Sequence, residues 1–234
     1  MKISSEFSRY ATLYGSNNII QNKVVKKLLQ KVTYKPQYIL DLGCGSGALC
    51  KSIEWNYQYF CGVDFSLAML ELHPKLDNIG SIYGDFNDET TFQTLLKKRF
   101  DAILSASALQ WAENLENVFK NIKLFNAPVA LAIFTSNTFK TLNETALLKP
   151  LLRTVNEVYE LQKKYFDADF EIVDYKLEFE STREMFKYIK QSGVSGSRKV
   201  LNYKQMKQLM NEYPINYLEF EVVFITSKAL QLNA

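Results

Sequence analysis

Residues 38–47 read Tyr-Ile-Leu-Asp-Leu-Gly-Cys-Gly-Ser-Gly. Tyr38–Leu42 is a short apolar run, the pattern of a parallel strand buried on both faces. Glycine then stands at 43, 45 and 47, where the chain can turn tightly and a ligand can approach without meeting a Cβ. Ala48, Leu49, Cys50 and Ile53 can open a helix whose first N–H groups face the same ligand. A glycine-rich turn alone is often only a strand-to-helix loop, but two acids accompany this one. Asp41 lies inside the stretch. A second apolar run, Tyr59–Val63, ends in Asp64, where the next parallel strand should end and could hold ribose hydroxyls.

Working outward, apolar spacings of three and four predict helices within 6–33, broken near Gly15–Asn18. Phe7–Tyr14 is expected to lie over the pocket as a lid, and Val24–Val32 to pack on the sheet. Downstream, strands are expected over 38–43, 59–64, 79–83, 100–108 and 128–135. Helices are expected over 47–55, 66–72 (with Ser66 as N-cap and Met69 inward), 90–99 and 115–125. This alternation implies an α/β fold: a Rossmann-like, doubly wound, seven-stranded sheet, mostly parallel. After 135 a long helical stretch, 138–164, reads as a cap within an insert spanning 136–168. A strand at 170–179, helices at 182–191 and 203–212, and a last, antiparallel strand at 216–226, at or near the sheet edge, complete a single domain.

The chain has 234 residues, 47% of them apolar, and a formal net charge of +3, too small a bias to argue for nucleic acid. No apolar run approaches the ~20 residues of a membrane span. The first residues lack the apolar centre of a signal peptide, so a cytoplasmic location is expected. Cys44, Cys50 and Cys61 have no metal-ligand spacing and read as small core residues. His73, the one histidine, precedes Pro74 and reads as a solvated helix end rather than a base. Metal catalysis and a Ser-His-Asp triad have little material to work with.

Gly-Cys-Gly-Ser-Gly-Ala also fits a dinucleotide loop, but a pyrophosphate would be poorly served by the carboxylate of Asp41. S-adenosylmethionine has no phosphate, and its ammonium and carboxylate suit an acid beside glycine amides. The form D-x-G-x-G-x-G at 41–47 resembles the first motif of class I S-adenosylmethionine-dependent methyltransferases. Candidate cofactor contacts are Asp41, Leu42, Gly43, Cys44, Gly45 and Gly47, then Asp64, Phe65 and Met69. Gly84, Asp85 and Phe86 follow, an acid for the adenine amino group and a ring to lie against the purine, with Ser105 on the fourth strand.

Phe-Asp-Ala-Ile-Leu-Ser-Ala-Ser-Ala-Leu-Gln-Trp, residues 100–111, resembles the fourth-strand signature of BioC-type malonyl-acyl carrier protein O-methyltransferases. Phe7–Tyr14 with Gln21, the stretch 186–194 and the stretch 216–224 resemble the same family, whereas Gly15, Ala106 and the 138–170 region depart from it. The resemblance implies methyl ester formation on the free carboxylate of a malonyl thioester, early in biotin synthesis. The ester would hide the charge so that fatty-acid enzymes accept the chain. Acyl carrier protein or malonyl-CoA would be the partner, with no nucleic acid and no membrane. Tyr14, Gln110 and Trp111 are candidate donors to the carboxylate. Lys187 and Lys190 are candidate cations for malonate or for an acidic carrier. Another small-molecule methyltransferase of this fold, or a non-catalytic cofactor-binding protein, are the alternatives.

Overall fold

A computed structural model of the chain describes residues 18–191 and 203–228. Seven strands are present: β1 (Tyr38–Leu42), β2 (Tyr59–Asp64), β3 (Ile79–Tyr83), β4 (Ala102–Ala106), β5 (Val129–Phe134), β6 (Asp169–Glu178) and β7 (Tyr217–Thr226). They form one sheet in the order β3-β2-β1-β4-β5-β7-β6. Strands β1 to β5 are mutually parallel, and β7 runs antiparallel to both β5 and β6. The antiparallel last strand therefore lies one place in from the edge, and β6 is the edge.

The helices are α1 (Ile19–Lys31), α2 (Ala48–Ser52), α3 (Leu67–Glu71), α4 (Glu89–Leu95), α5 (Leu115–Lys123), α6 (Lys140–Thr145), α7 (Val155–Tyr165), α8 (Thr182–Gln191) and α9 (Tyr203–Glu212). Successive strand residues feed opposite layers. Ile39 and Phe60 join the cluster that contains Val24, Leu28, Met185 and Leu209, whereas Leu40 and Cys61 join the one that contains Phe92, Val118 and Val158. Both faces are thus covered, and β5 is buried at every position. Burying each such large side chain is worth about 1.5–3 kcal/mol, so the two clusters dominate the stability of the sheet. The start of β1 is tied to β4 by Asp101, whose carboxylate accepts from the N–H groups of Gln37 and Tyr38 at 2.9 and 2.8 Å.

Three expectations need correction. The helix after the glycine loop spans only Ala48–Ser52, because Ile53 is already extended. The helical stretch at 138–164 is two helices, α6 and α7, with an irregular span between them. Leu147 there has φ +53, and Pro150 disfavours helical backbone just before it. Helix α7 starts afresh with a capping box between Thr154 and Glu157. It packs on α5, with the Phe119 and Phe166 rings 5.0 Å apart. His73 is not solvated: it is 3% exposed, beneath the glycine loop. None of the helices among the described residues is long and apolar enough to cross a membrane.

Candidate active site

The carboxyl ends of β1 and β4 adjoin, and there the strand order reverses direction, the place where open α/β sheets bind ligands. A cleft of about 730 Å³, counting its open mouth, lies at that point. The glycine loop forms its floor. Gly43 has φ +75, and a Cβ on it would stand 2.3 Å from the Ala108 Cβ, so no other residue fits. The N–H groups of Gly43 and Cys44 both donate to Val63 O, at 2.8 and 3.0 Å, which anchors the turn to β2. At Gly45, φ +52, a Cβ would meet nothing within 4 Å. The loop there presents bare backbone to open space.

Asp64 closes one side. Its Oδ2 accepts from Gly45 N–H at 2.9 Å and its Oδ1 from Ser66 N–H at 2.8 Å. Burial raises its pKa, opposed by the backbone donors of Ser66 and Gly45. Each oxygen keeps a lone pair for a further donor. Asp41, 1% exposed, stands behind the loop rather than on the cleft surface. Its Oδ1 has no hydrogen-bond partner. Burial, and after it the Asp64 carboxylate, push the Asp41 carboxyl well above the usual carboxylate range. Burial also pushes the Cys44 thiol well up, which leaves it inert as a nucleophile.

Of the residues expected from the sequence, Gly43, Cys44, Gly45, Asp64, Phe65, Met69, Phe86 and Trp111 line the cleft. Of the others, those whose side chains are described do not line it. Leu42 is fully buried, and its carbonyl accepts from the Ser105 hydroxyl at 2.6 Å, which fastens β1 to β4. Gly47, φ +84, leaves room for Pro74 and His73. Gly84 donates its N–H to Asp64 O, and Asp85 Oδ1 accepts from the Asn87 backbone and side chain, so both build the turn after β3. Tyr14 lies outside the described residues. Lys187 is exposed on α8 and is not part of the lining of this cleft, and the side chain of Lys190 is outside the described set.

Gln110 is placed differently from expectation. Its Nε2 donates to Ser107 O at 2.6 Å, so that donor is already engaged. Gln110 lines a second cleft, of about 840 Å³ with its mouth, together with Trp111, Arg153 and Glu157. Trp111 lines both clefts.

Other cleft residues were not expected. Ser107, not Ser105, brings a hydroxyl to the cleft. It ends β4 with φ +61, and its Oγ is buried without a partner. Asn18 Oδ1 and Gln21 Oε1, at the start of α1, are likewise buried, unpartnered and on the cleft wall. The alternation of serines at 105 and 107 held the signal for Ser107, since the residue just past a parallel strand faces the crevice. Arg153 has no sequence signal of this kind.

These groups fit S-adenosylmethionine. The open backbone at Gly45 leaves room for a carboxylate, the unpartnered oxygens of Asn18 and Gln21 on the cleft wall are free acceptors of the kind an ammonium needs, and Asp64 and Phe86 suit a nucleoside.

Residues 40–128 match the model of a methyltransferase domain. The chain is 25% identical over 207 residues to malonyl-[acyl-carrier protein] O-methyltransferase of Calditerrivibrio nitroreducens, covering 84% of this chain and 80% of that protein. Among solved structures it resembles YcgJ of Bacillus subtilis, with TM-score 0.62 at 12% identity over 88% of this chain and 98% of that one. It also resembles phosphoethanolamine N-methyltransferase 2 of Haemonchus contortus in complex with S-adenosyl-L-methionine, with TM-score 0.59 at 15% identity over 94% of this chain and 57% of that one. The matched domain, the strand order and the glycine loop make this chain a class I methyltransferase with S-adenosyl-L-methionine as its cofactor, similar to the malonyl-acyl carrier protein O-methyltransferases.

Proposed function

We propose that the protein esterifies the free carboxylate of a malonyl thioester, with acyl carrier protein or coenzyme A as the carrier, in early biotin synthesis. One observation carries the reading beyond the relatives' names. Among the described residues, no histidine, lysine or tyrosine lines the cleft. Its titratable side chains are Cys44 and Asp64, and both Asp64 oxygens already accept backbone N–H bonds. His73 is buried on the other side of the loop. Amine or hydroxyl acceptors shed a proton when methylated and profit from a base. A malonyl carboxylate, titrating near ~4, is ionised at neutral pH and needs none.

The cofactor, when bound, supplies an activated methyl group. The protein's part is placement, which is worth about 7–11 kcal/mol in well-oriented systems. In this reading Asp64 holds the ribose hydroxyls, Phe86 lies against the adenine, and the Ser46 amide holds the amino-acid carboxylate. Asp41 balances the ammonium through the loop. Trp111 donates its indole N–H toward the acceptor, joined by Tyr14. Gln110 acts from the neighbouring cleft. Lys187 is exposed on α8, as a contact for an acidic carrier would be.

The test is incubation of the protein with S-adenosylmethionine and malonyl-acyl carrier protein, read by intact-protein mass spectrometry. A single added methyl on the malonyl carrier, lost on mild ester hydrolysis, is the expected result. No methyl ester on malonyl-acyl carrier protein or malonyl-CoA contradicts the reading.

A further inference from the structure

We propose that Arg153 selects the acceptor by binding its carboxylate in the cleft beyond Trp111, an assignment that rests on the malonyl-thioester reading. Arg153 is half-buried and shares that cleft with Trp111, which also lines the cofactor cleft. Its Nη2 donates to the carbonyls of Ala112 and Glu113, at 2.6 and 3.2 Å. These bonds fix the guanidinium without neutralising its charge. None of the ion pairs among the described residues includes it. Glu157, the acid beside it, spends Oε2 on the Thr154 N–H and hydroxyl. Burial works against the charge of Arg153, and Glu157 offsets this only in part.

A fixed, partly desolvated guanidinium that makes no salt bridge and is only partly offset by a nearby acid is a receptor for a planar anion, and its remaining N–H groups match a carboxylate. Gln110 Oε1 stands at the same cleft, buried and unpartnered. As an acceptor it suits an amide N–H of the arm that carries the carboxylate. Neither group is needed for the fold of the glycine loop, which is anchored to β2.

Calorimetry on the protein loaded with S-adenosylhomocysteine tests this without turnover. Malonyl-acyl carrier protein should bind at least tenfold more tightly than acetyl-acyl carrier protein, roughly 1.4 kcal/mol. Arg153→Met should erase that ratio and leave the S-adenosylhomocysteine Kd unchanged, while Arg153→Lys should keep part of it. If Arg153→Met also loses the cofactor analogue, Arg153→Lys decides: the ratio must fall at least threefold at unchanged analogue affinity. Equal binding of the two carriers by the wild type, or a ratio that survives substitution, overturns the assignment. A preserved, Arg153-dependent ratio without methyl ester formation removes only the reaction proposed above.

Discussion

The two clefts that Trp111 lines are built by opposite means. The cofactor cleft is made of backbone: bare loop at Gly45, N–H groups anchored on Val63 O, and strand ends that converge because the sheet reverses order there. The second cleft, proposed here for the acceptor, is made of side chains brought from far apart, Gln110 and Trp111 after β4 and Arg153 between α6 and α7. Backbone sites tolerate little change in sequence, and side-chain sites tolerate much. One fold can therefore keep its cofactor while its acceptor varies.

The first way to break this contrast is Gly43→Ala. The left-handed φ costs about 1–2 kcal/mol, and the clash with Ala108 adds an overpacking term of about 1–3 kcal/mol. Chemical denaturation should show a loss of roughly 2–5 kcal/mol, together with loss of cofactor binding. Stability within 0.5 kcal/mol of wild type, about the scatter of surface changes, would mean the loop is not a rigid floor.

Asp64→Ala comes next. Losing hydrogen bonds to a charged group costs about 1.5–3 kcal/mol, so the S-adenosylhomocysteine Kd should rise by one to two powers of ten in calorimetry. An unchanged Kd would remove Asp64 from the site.

Asp41 sharpens the comparison through pH. Its folded pKa lies above the unfolded value near ~3.9, so its contribution to stability is present at acid pH and is lost as pH rises from about 4 through the folded value. The unliganded wild type should lose melting temperature over that rise more than Asp41→Asn does. An ammonium beside Asp41 favours its charged form, so cofactor-analogue binding should release a proton. Repeating calorimetry in buffers of different ionisation enthalpy measures that release, and zero release would place the ammonium elsewhere.

The smallest effect belongs to the surface. Lys187→Ala should change stability by less than about 0.5 kcal/mol, and should raise the KM for a protein carrier without altering that for malonyl-CoA. A parallel change in both would contradict a role confined to the carrier.

The same contrast explains what could be read from the chain. Tyr38–Gly47 and Asp64 announced their places at the cleft because positive φ, close approach and a strand-end acid each demand a narrow set of residues. The seven-stranded sheet followed from the apolar runs, and β7 next to the edge from its place at the chain end. Asp85, Ser105 and Gln110 are of the right type at the right strand ends, yet they spend hydrogen bonds on Asn87, Leu42 O and Ser107 O. Such local bonding leaves no trace in residue spacing. Arg153 was hidden for a related reason. It sits in the irregular span that Leu147 and Pro150 cut into an otherwise helical pattern, and only packing brings it to Trp111. His73 read as an exposed helix end because its neighbours, Gly47 and Gly62, make room for it from distant positions.

The central claim is that an already ionised carboxylate is methylated in a cleft without a base. Single-turnover rates on malonyl-acyl carrier protein at saturating S-adenosylmethionine test it most directly across pH. The account predicts a rate that is flat above about pH 5, since the acceptor titrates near ~4. A rate that climbs through neutral pH with the slope of one ionising group would show a base at work and contradict it.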